Sequence, residues 1–275
     1  MKITGLLIAA LLICLFVCTL PASGEEAAPV WQLTFQDTFE GCEVDSAKWL
    51  FQLGTGQSEG LTQWGNNEQQ YYTSENATVE NGLLTLHARQ EQKGSLPYTS
   101  SRLCTKGLFS QCYGRFEARI RLPKGEGFWP GFWLMPQDEV YGTWAASGEI
   151  DIMEAKGRLP GLTYHTIHFG GAWPNNSQIS ESYILSEGSA EEFHVYALEW
   201  EEDELRWYVD DALAATQRIW NTQGHDYPAP FDQPFYMILN LAVGGNFDQN
   251  RMPGSMGGPM EARMEIDYVR VYTRK

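Results

Sequence analysis

Apolar and polar residues alternate in short runs along much of this chain. Leu84-Thr85-Leu86-His87-Ala88 changes face at every step, Tyr113 to Leu122 does so with charged residues outward, and Met264 to Tyr272 repeats the pattern near the end. Period two is the mark of a strand with one buried face. Phe193 to Trp200 and Leu205 to Val209 read as a meander, with Asp210-Asp211 as a further turn. Phe235 to Val243 is nearly all apolar, as a strand buried on both sides would be. Helical periodicity is missing, and residues 189–193 offer one turn at most. Many short strands, with neither an internal repeat nor a Pro, Ser or Gly linker between them, predict an all-β fold. The expected architecture is a β-jelly-roll sandwich of two curved antiparallel sheets, one of them forming a concave substrate cleft. That shape suits a polymer better than a small molecule.

The start of the chain breaks the pattern. Met1-Lys2 precede an apolar run from about Leu6 to Leu20, and Pro21-Ala22-Ser23-Gly24 follow. A charged start, a short apolar core and small residues make a secretory signal peptide, and the run is short for a membrane span. Residues 1–24 are therefore expected to be cleaved near Gly24, leaving 25–275 as one secreted domain with a loose start at 25–30 and no membrane attachment. Roughly 250 residues suffice for a single large all-β domain with a full core. The net charge of −16 argues against nucleic acid and anionic membranes as partners. Of five cysteines, two lie in the leader, leaving Cys42, Cys104 and Cys112. An odd count allows at most one internal disulfide; Cys104 and Cys112 are the nearest pair, but the connectivity stays open. The pattern carries no signal of oligomeric state.

The chemistry concentrates in Glu149-Ile150-Asp151-Ile152-Met153-Glu154. Alternation puts Glu149 and Asp151 on one face of a strand, while Glu154, three residues beyond Asp151, would fall on the other. One extra residue, a β-bulge near Ile152-Met153, brings Glu154 back. Three carboxylates on one face raise one another's pKa. A reaction that needs two neighbouring carboxyl groups is glycosidic hydrolysis, with a separation of about 5–5.5 Å in the retaining geometry. The backbone positions of Glu149 and Glu154 should lie roughly 13–16 Å apart, so both side chains must lean over Asp151. A solvated acidic strand, or a Ca²⁺ cage of oxygen ligands, is the plainer alternative.

The surroundings favour a sugar site. Ten Trp and thirteen Tyr are many for this length, and some must be core. Trp200, Trp207 and Tyr268 sit in clean strand patterns and read as packing residues. Trp129 and Trp133 are four apart, share a face and lie just upstream of the acids; aromatic planes stack on the C–H faces of sugar rings. Trp64 to Tyr72 is rich in amides that match sugar hydroxyls, though it could simply be a loop. His168 falls on the strand after the acids, where it either touches substrate or serves the fold, and His165 should face the other way.

Taken together, Gly148 to Glu154 resembles the signature of glycoside hydrolase family 16 in its bulged, laminarinase-like form. Trp64 to Thr73, Tyr113 to Arg119, Trp129 to Met135, His168 to Gly171, Leu239 to Asn246 and Ile266 to Tyr272 resemble further family segments in family order, so the likeness runs from about Phe35 to Tyr272. It implies a jelly roll and a retaining endo-β-1,3-glucanase acting on β-glucan polysaccharide, with Glu149 as nucleophile, Glu154 as general acid/base and Asp151 hydrogen-bonded to the nucleophile. It also implies that Asn66, Trp129 and Trp133 line sugar subsites. No cofactor is expected for catalysis, but a structural Ca²⁺ on the convex face is, held by Glu40, the Gly82 carbonyl and Asp267. Mixed-linkage glucan or galactan hydrolysis, and glucan binding without catalysis, are the alternatives on the same fold. Binding proteins of this kind lose catalytic glutamates, and this chain keeps all three acids. Gly131 departs from the family pattern, which often has Ala there.

Overall fold

The computed structural model describes residues 30–186 and 190–275. The expected leader, the loose start up to residue 29 and Ser189 at the head of the expected turn lie outside the described residues. Ala190 to Glu192 form a turn and a bend. Strands dominate: β1 (Trp31–Asp37), β2 (Leu50–Phe51), β3 (Gln70–Tyr72), β4 (Ala77–Glu80), β5 (Leu83–Ala88), β6 (Tyr98–Ser100), β7 (Arg102–Cys104), β8 (Gly114–Arg121), β9 (Phe128–Pro136), β10 (Glu149–Ala155), β11 (Leu162–Phe169), β12 (Ser177–Ile184), β13 (His194–Trp200), β14 (Leu205–Val209), β15 (Ala212–Gln217), β16 (Phe235–Val243) and β17 (Ala262–Arg274). The strand runs read from the sequence fall on β5, β8, β13, β14, β16 and β17. Asp210 and Asp211 both adopt left-handed backbone, with φ 48° and 65°, which a two-residue hairpin turn with the right-handed strand twist requires.

Two large antiparallel sheets form the jelly roll. One runs β15-β14-β13-β8-β17-β5-β4, with β1 also paired to β17; the other runs β12-β11-β10-β9-β16-β7-β2. A separate parallel pair, β3 and β6, lies beside them. The core lies between the sheets. Phe128, Phe132 and Leu134 of β9, Ile150, Ile152 and Met153 of β10, and Met237, Leu239 and Leu241 of β16 meet Phe116, Leu198, Trp200, Trp207, Met264 and Val269 of the opposite sheet. Each such side chain contributes on the order of 1.5–3 kcal/mol by leaving water.

β16 is buried along its whole length. Its alternate residues Tyr236 and Ile238 join Cys104 in a second apolar cluster, with Trp133 and Met135 against it. The two clusters explain the cysteines. Cys104 belongs to the second, whereas Cys112 packs against the main core. The two thiols therefore sit in different packing environments, and Cys42, Cys104 and Cys112 are all free, so the disulfide that the odd count allowed is not formed.

Phe132 is fully buried at the centre of β9. Phe132→Ala should lower the unfolding free energy by about 3–5 kcal/mol, measured as a shift of the urea midpoint at unchanged slope.

Candidate active site

The seven-stranded sheet carries the acids on β10, between β9 and β11. On β9, Asp151 pairs with Trp133, Met153 with Phe132 and Glu154 with Gly131, so Ile152 has no partner there. On β11, Asp151 pairs with Thr166 and Glu154 with Tyr164, again with one residue too many on β10. This is the expected bulge. Ile152 and Met153 both turn into the core, and Glu149, Asp151 and Glu154 share the outer face. Trp129, Gly131 and Trp133 of β9, Asn240 of β16 and His168 of β11, which pairs with Glu149, share that face.

The three acids have unlike surroundings. Glu149 Oε2 accepts the indole N–H of Trp144 at 2.7 Å, and its other oxygen lies 3.6 Å from His168 Nε2. The same nitrogen is 3.4 Å from Asp151 Oδ2, and Asp151 is only 2% exposed. Glu154 Oε1 accepts one N–H, from Trp129 at 2.8 Å. Burial and then the charge of Asp151 raise Glu149 to about 7, while His168 and the Trp144 N–H oppose the rise. Burial and Asp151 push Glu154 well above the usual carboxylate range, opposed by the Trp129 N–H. Burial alone would lower His168, but Glu149 and Asp151 outweigh it and raise the imidazole to about 9. The surroundings thus favour the cationic form of His168 beside Glu149 and the protonated form of Glu154. Glu149, Asp151 and His168 also lie close enough to hold a cation, their nearest ligand atoms all within 4.8 Å of one another.

His165 faces away, as expected. It is buried, its Nδ1 lies 2.8 Å from the Ile152 carbonyl, and burial lowers it to about 4. A neutral imidazole donating from Nδ1 therefore caps the bulge carbonyl. Asn66 is exposed at the end of a short 3₁₀ turn, with its backbone carbonyl accepting the Asn246 N–H at 2.8 Å. Within the amide-rich segment Trp64, Glu68, Gln70 and Tyr72 are buried, whereas Asn66 and Asn67 are exposed. Glu68, Gln70 and Tyr72 pair with one another and with β16, and the Trp64 N–H donates to the Gly54 carbonyl.

The expected calcium ligands are only partly assembled. A side chain on Gly82 would point at Glu40 Oε1 and the Thr38 carbonyl, so two of the three residues are neighbours. Asp267 is bound to Arg119 at 2.6 Å instead. Arg119 therefore competes with an ion for Asp267 Oδ2, and no catalytic step depends on an ion there.

Sequence reasoning missed Trp144, Asn240, Arg102 and Phe247. Trp144 lies in a loop without periodicity, yet its indole holds Glu149 and packs 5.5 Å from His168. Phe247 stacks on Trp129 at 4.9 Å and also meets Tyr164. Asn240 had a readable signal, being the one amide in an otherwise apolar strand.

Comparison with known proteins agrees with this geometry. Residues 64–270 match the glycosyl hydrolases family 16. The chain is 45% identical over 258 residues to glucan endo-1,3-beta-glucosidase A1 of Niallia circulans, covering 87% of this chain and 37% of that protein's length. It is 38% identical to a beta-glucanase of Rhodothermus marinus, covering 99% of this chain and 94% of the relative. The X-ray structure of an endo-beta-1,3-glucanase from Pyrococcus furiosus superposes with a TM-score of 0.80 at 40% identity, covering 89% of this chain and 95% of that one. A bulged strand that gathers three carboxylates on one face of a jelly roll, in a chain so matched, belongs to glycosyl hydrolases family 16.

Proposed function

We propose that this chain is an exported, retaining endo-β-1,3-glucanase acting on laminarin-like glucan. The unequal settings of Glu149 and Glu154 on one strand face support this most strongly. Export rests on the charged start, apolar run and small residues at 1–24. Retention is supported by two glutamates on one strand face with Asp151 between them, its charge felt by both. A cluster of acids at the site also disfavours polysulfated galactans as substrate.

Glu154, held protonated by burial and by Asp151, donates its proton to the glycosidic oxygen. Glu149 attacks the anomeric carbon as its anion, which the Trp144 N–H and the His168 imidazolium favour. The C–O bond to the leaving sugar breaks and a glycosyl-enzyme ester forms. Esterification removes the charge of Glu149, so Glu154 holds its proton less tightly and, now ionised, acts as base on water. Water attacks the same carbon, Glu149 leaves, and the β-configuration returns. Trp129 keeps the Glu154 carboxyl aimed at the bond. The sequence of steps uses the chain's own residues and no cofactor.

The first test is reducing-sugar release from laminarin, lichenan, curdlan, carboxymethylcellulose and agarose, with products sized over time. Laminarin should be cut to mixed oligosaccharides, and Glu149→Gln should lose roughly 10³-fold or more in rate. Equal, near-zero release by wild type and variant would leave only glucan binding. Glu154→Ala should slow laminarin far more than an activated aryl β-glucoside, because only the poor leaving group needs a proton donor; equal losses would contradict the acid/base role. The pH profile of kcat/KM should rise towards neutrality as Glu149 ionises near pH 7 and fall at higher pH as Glu154 loses its proton. Activity undiminished at pH 5 would be inconsistent with that assignment.

A further inference from the structure

The segment that supplies β3 holds a buried carboxylate, an amide and a phenol that the chemistry above leaves unused. We propose that Glu68, Gln70, Tyr72 and Asn240 form a positioning network that fixes the indole of Trp133 as a rigid sugar platform beside the acids. The inference deepens the glucanase reading and rests on it.

The network runs in one direction. Trp133 Nε1–H donates to Asn240 Oδ1 at 2.7 Å, and Asn240 Nδ2–H donates to the Tyr72 hydroxyl at 3.1 Å. The Tyr72 O–H donates to Glu68 Oε2 at 3.1 Å, and Gln70 Nε2–H donates to the same oxygen at 2.6 Å. Gln70 Oε1 accepts the backbone N–H of Val243 at 2.7 Å, which ties the circuit back to β16, the strand that carries Asn240. An indole can only donate, so the oxygen of Asn240 must face Trp133 and its NH₂ must face Tyr72. The single phenolic proton then goes to Glu68. Glu68, Gln70, Tyr72 and Asn240 are at most 6% exposed, so a broken link leaves a buried polar group unpaired.

Two further contacts restrict the ring. The Arg102 guanidinium lies over Trp133 at 4.7 Å and over Trp64 at 4.3 Å, while its Nε–H is held by Gln52 Oε1 at 2.6 Å. One face of the Trp133 indole is thereby covered and its N–H edge anchored. Gly131 supplies the space. Cross-strand pairing places it between Asn240 and Glu154. A Cβ at Gly131 would stand 2.9 Å from Asn240 Oδ1 and 3.3 Å from Trp133 Nε1, crowding the bond between them. A ring held in this way loses little freedom when a sugar stacks on it.

The test measures binding and turnover separately. Laminarihexaose is titrated into Glu149→Gln with and without Tyr72→Phe, and laminarin kinetics are measured for Tyr72→Phe in the otherwise native chain. Tyr72→Phe should raise both Kd and KM about fivefold, the scale of one lost hydrogen bond, at nearly unchanged kcat. In a Trp133→Phe background, which already lacks the indole N–H, adding Tyr72→Phe should change Kd little, because the two act through one bond. Unchanged Kd, a loss confined to kcat, or an undiminished effect in the Trp133→Phe background would each overturn the network. Gly131→Ala provides the same comparison should Tyr72→Phe fail to fold. If wild type releases no sugar from laminarin, the glucanase reading falls, and the Kd series still decides the network.

Discussion

The site depends on the crowding of three carboxylates on one face of a single strand. Such crowding is unfavourable unless protons or donors offset it. Here the offsets are local and unequal. His168 and an indole N–H favour the Glu149 anion, while Glu154 has a single indole donor and burial pushes its pKa well above the usual carboxylate range. The difference in environment, rather than in side-chain chemistry, separates the two roles. It also links activity to stability. A carboxyl whose folded-state pKa lies above its unfolded value favours folding at low pH, and that contribution is lost as pH rises through the folded value. Ionising Glu149, as the proposed mechanism requires, therefore works against the fold that positions it.

The sheet divides its labour by face. Ile150, Ile152 and Met153 anchor β10 in the core, and the intervening acids project from a backbone that cannot easily shift. β16 does more, because both of its faces are covered. One carries core residues, and the other presents Tyr236 and Ile238 to a second cluster and Asn240 to Trp133. A buried strand bearing one amide can thus orient an aromatic ring on the substrate side without exposing that amide to competing water.

Much of this was legible in the sequence where a side chain's period alone decides its place. Alternation located β5, β8 and β17, the apolar run located β16, and the three-residue step from Asp151 to Glu154 required the bulge. What escaped depends on distant partners. Trp144 and Phe247 sit in loops whose positions relative to the acids no local pattern fixes. The Trp64 to Tyr72 amides match sugar hydroxyls by chemistry, and only the fold shows that Glu68, Gln70 and Tyr72 are turned inward. Glu40 and Gly82 come together as the family likeness implied, but Asp267 is held by Arg119, a cross-strand neighbour that composition could not reveal.

The bulge has an evolutionary consequence. Between Ile150 and Glu154 only Ile152 lacks a partner on β9, whereas Asp151, Met153 and Glu154 face Trp133, Phe132 and Gly131 in even steps. Loss of the one codon for Ile152 would restore plain alternation with every acid still on its original side. A lineage can therefore gain or lose this residue in a single genetic event without passing through an ancestor whose Glu154 points into the core.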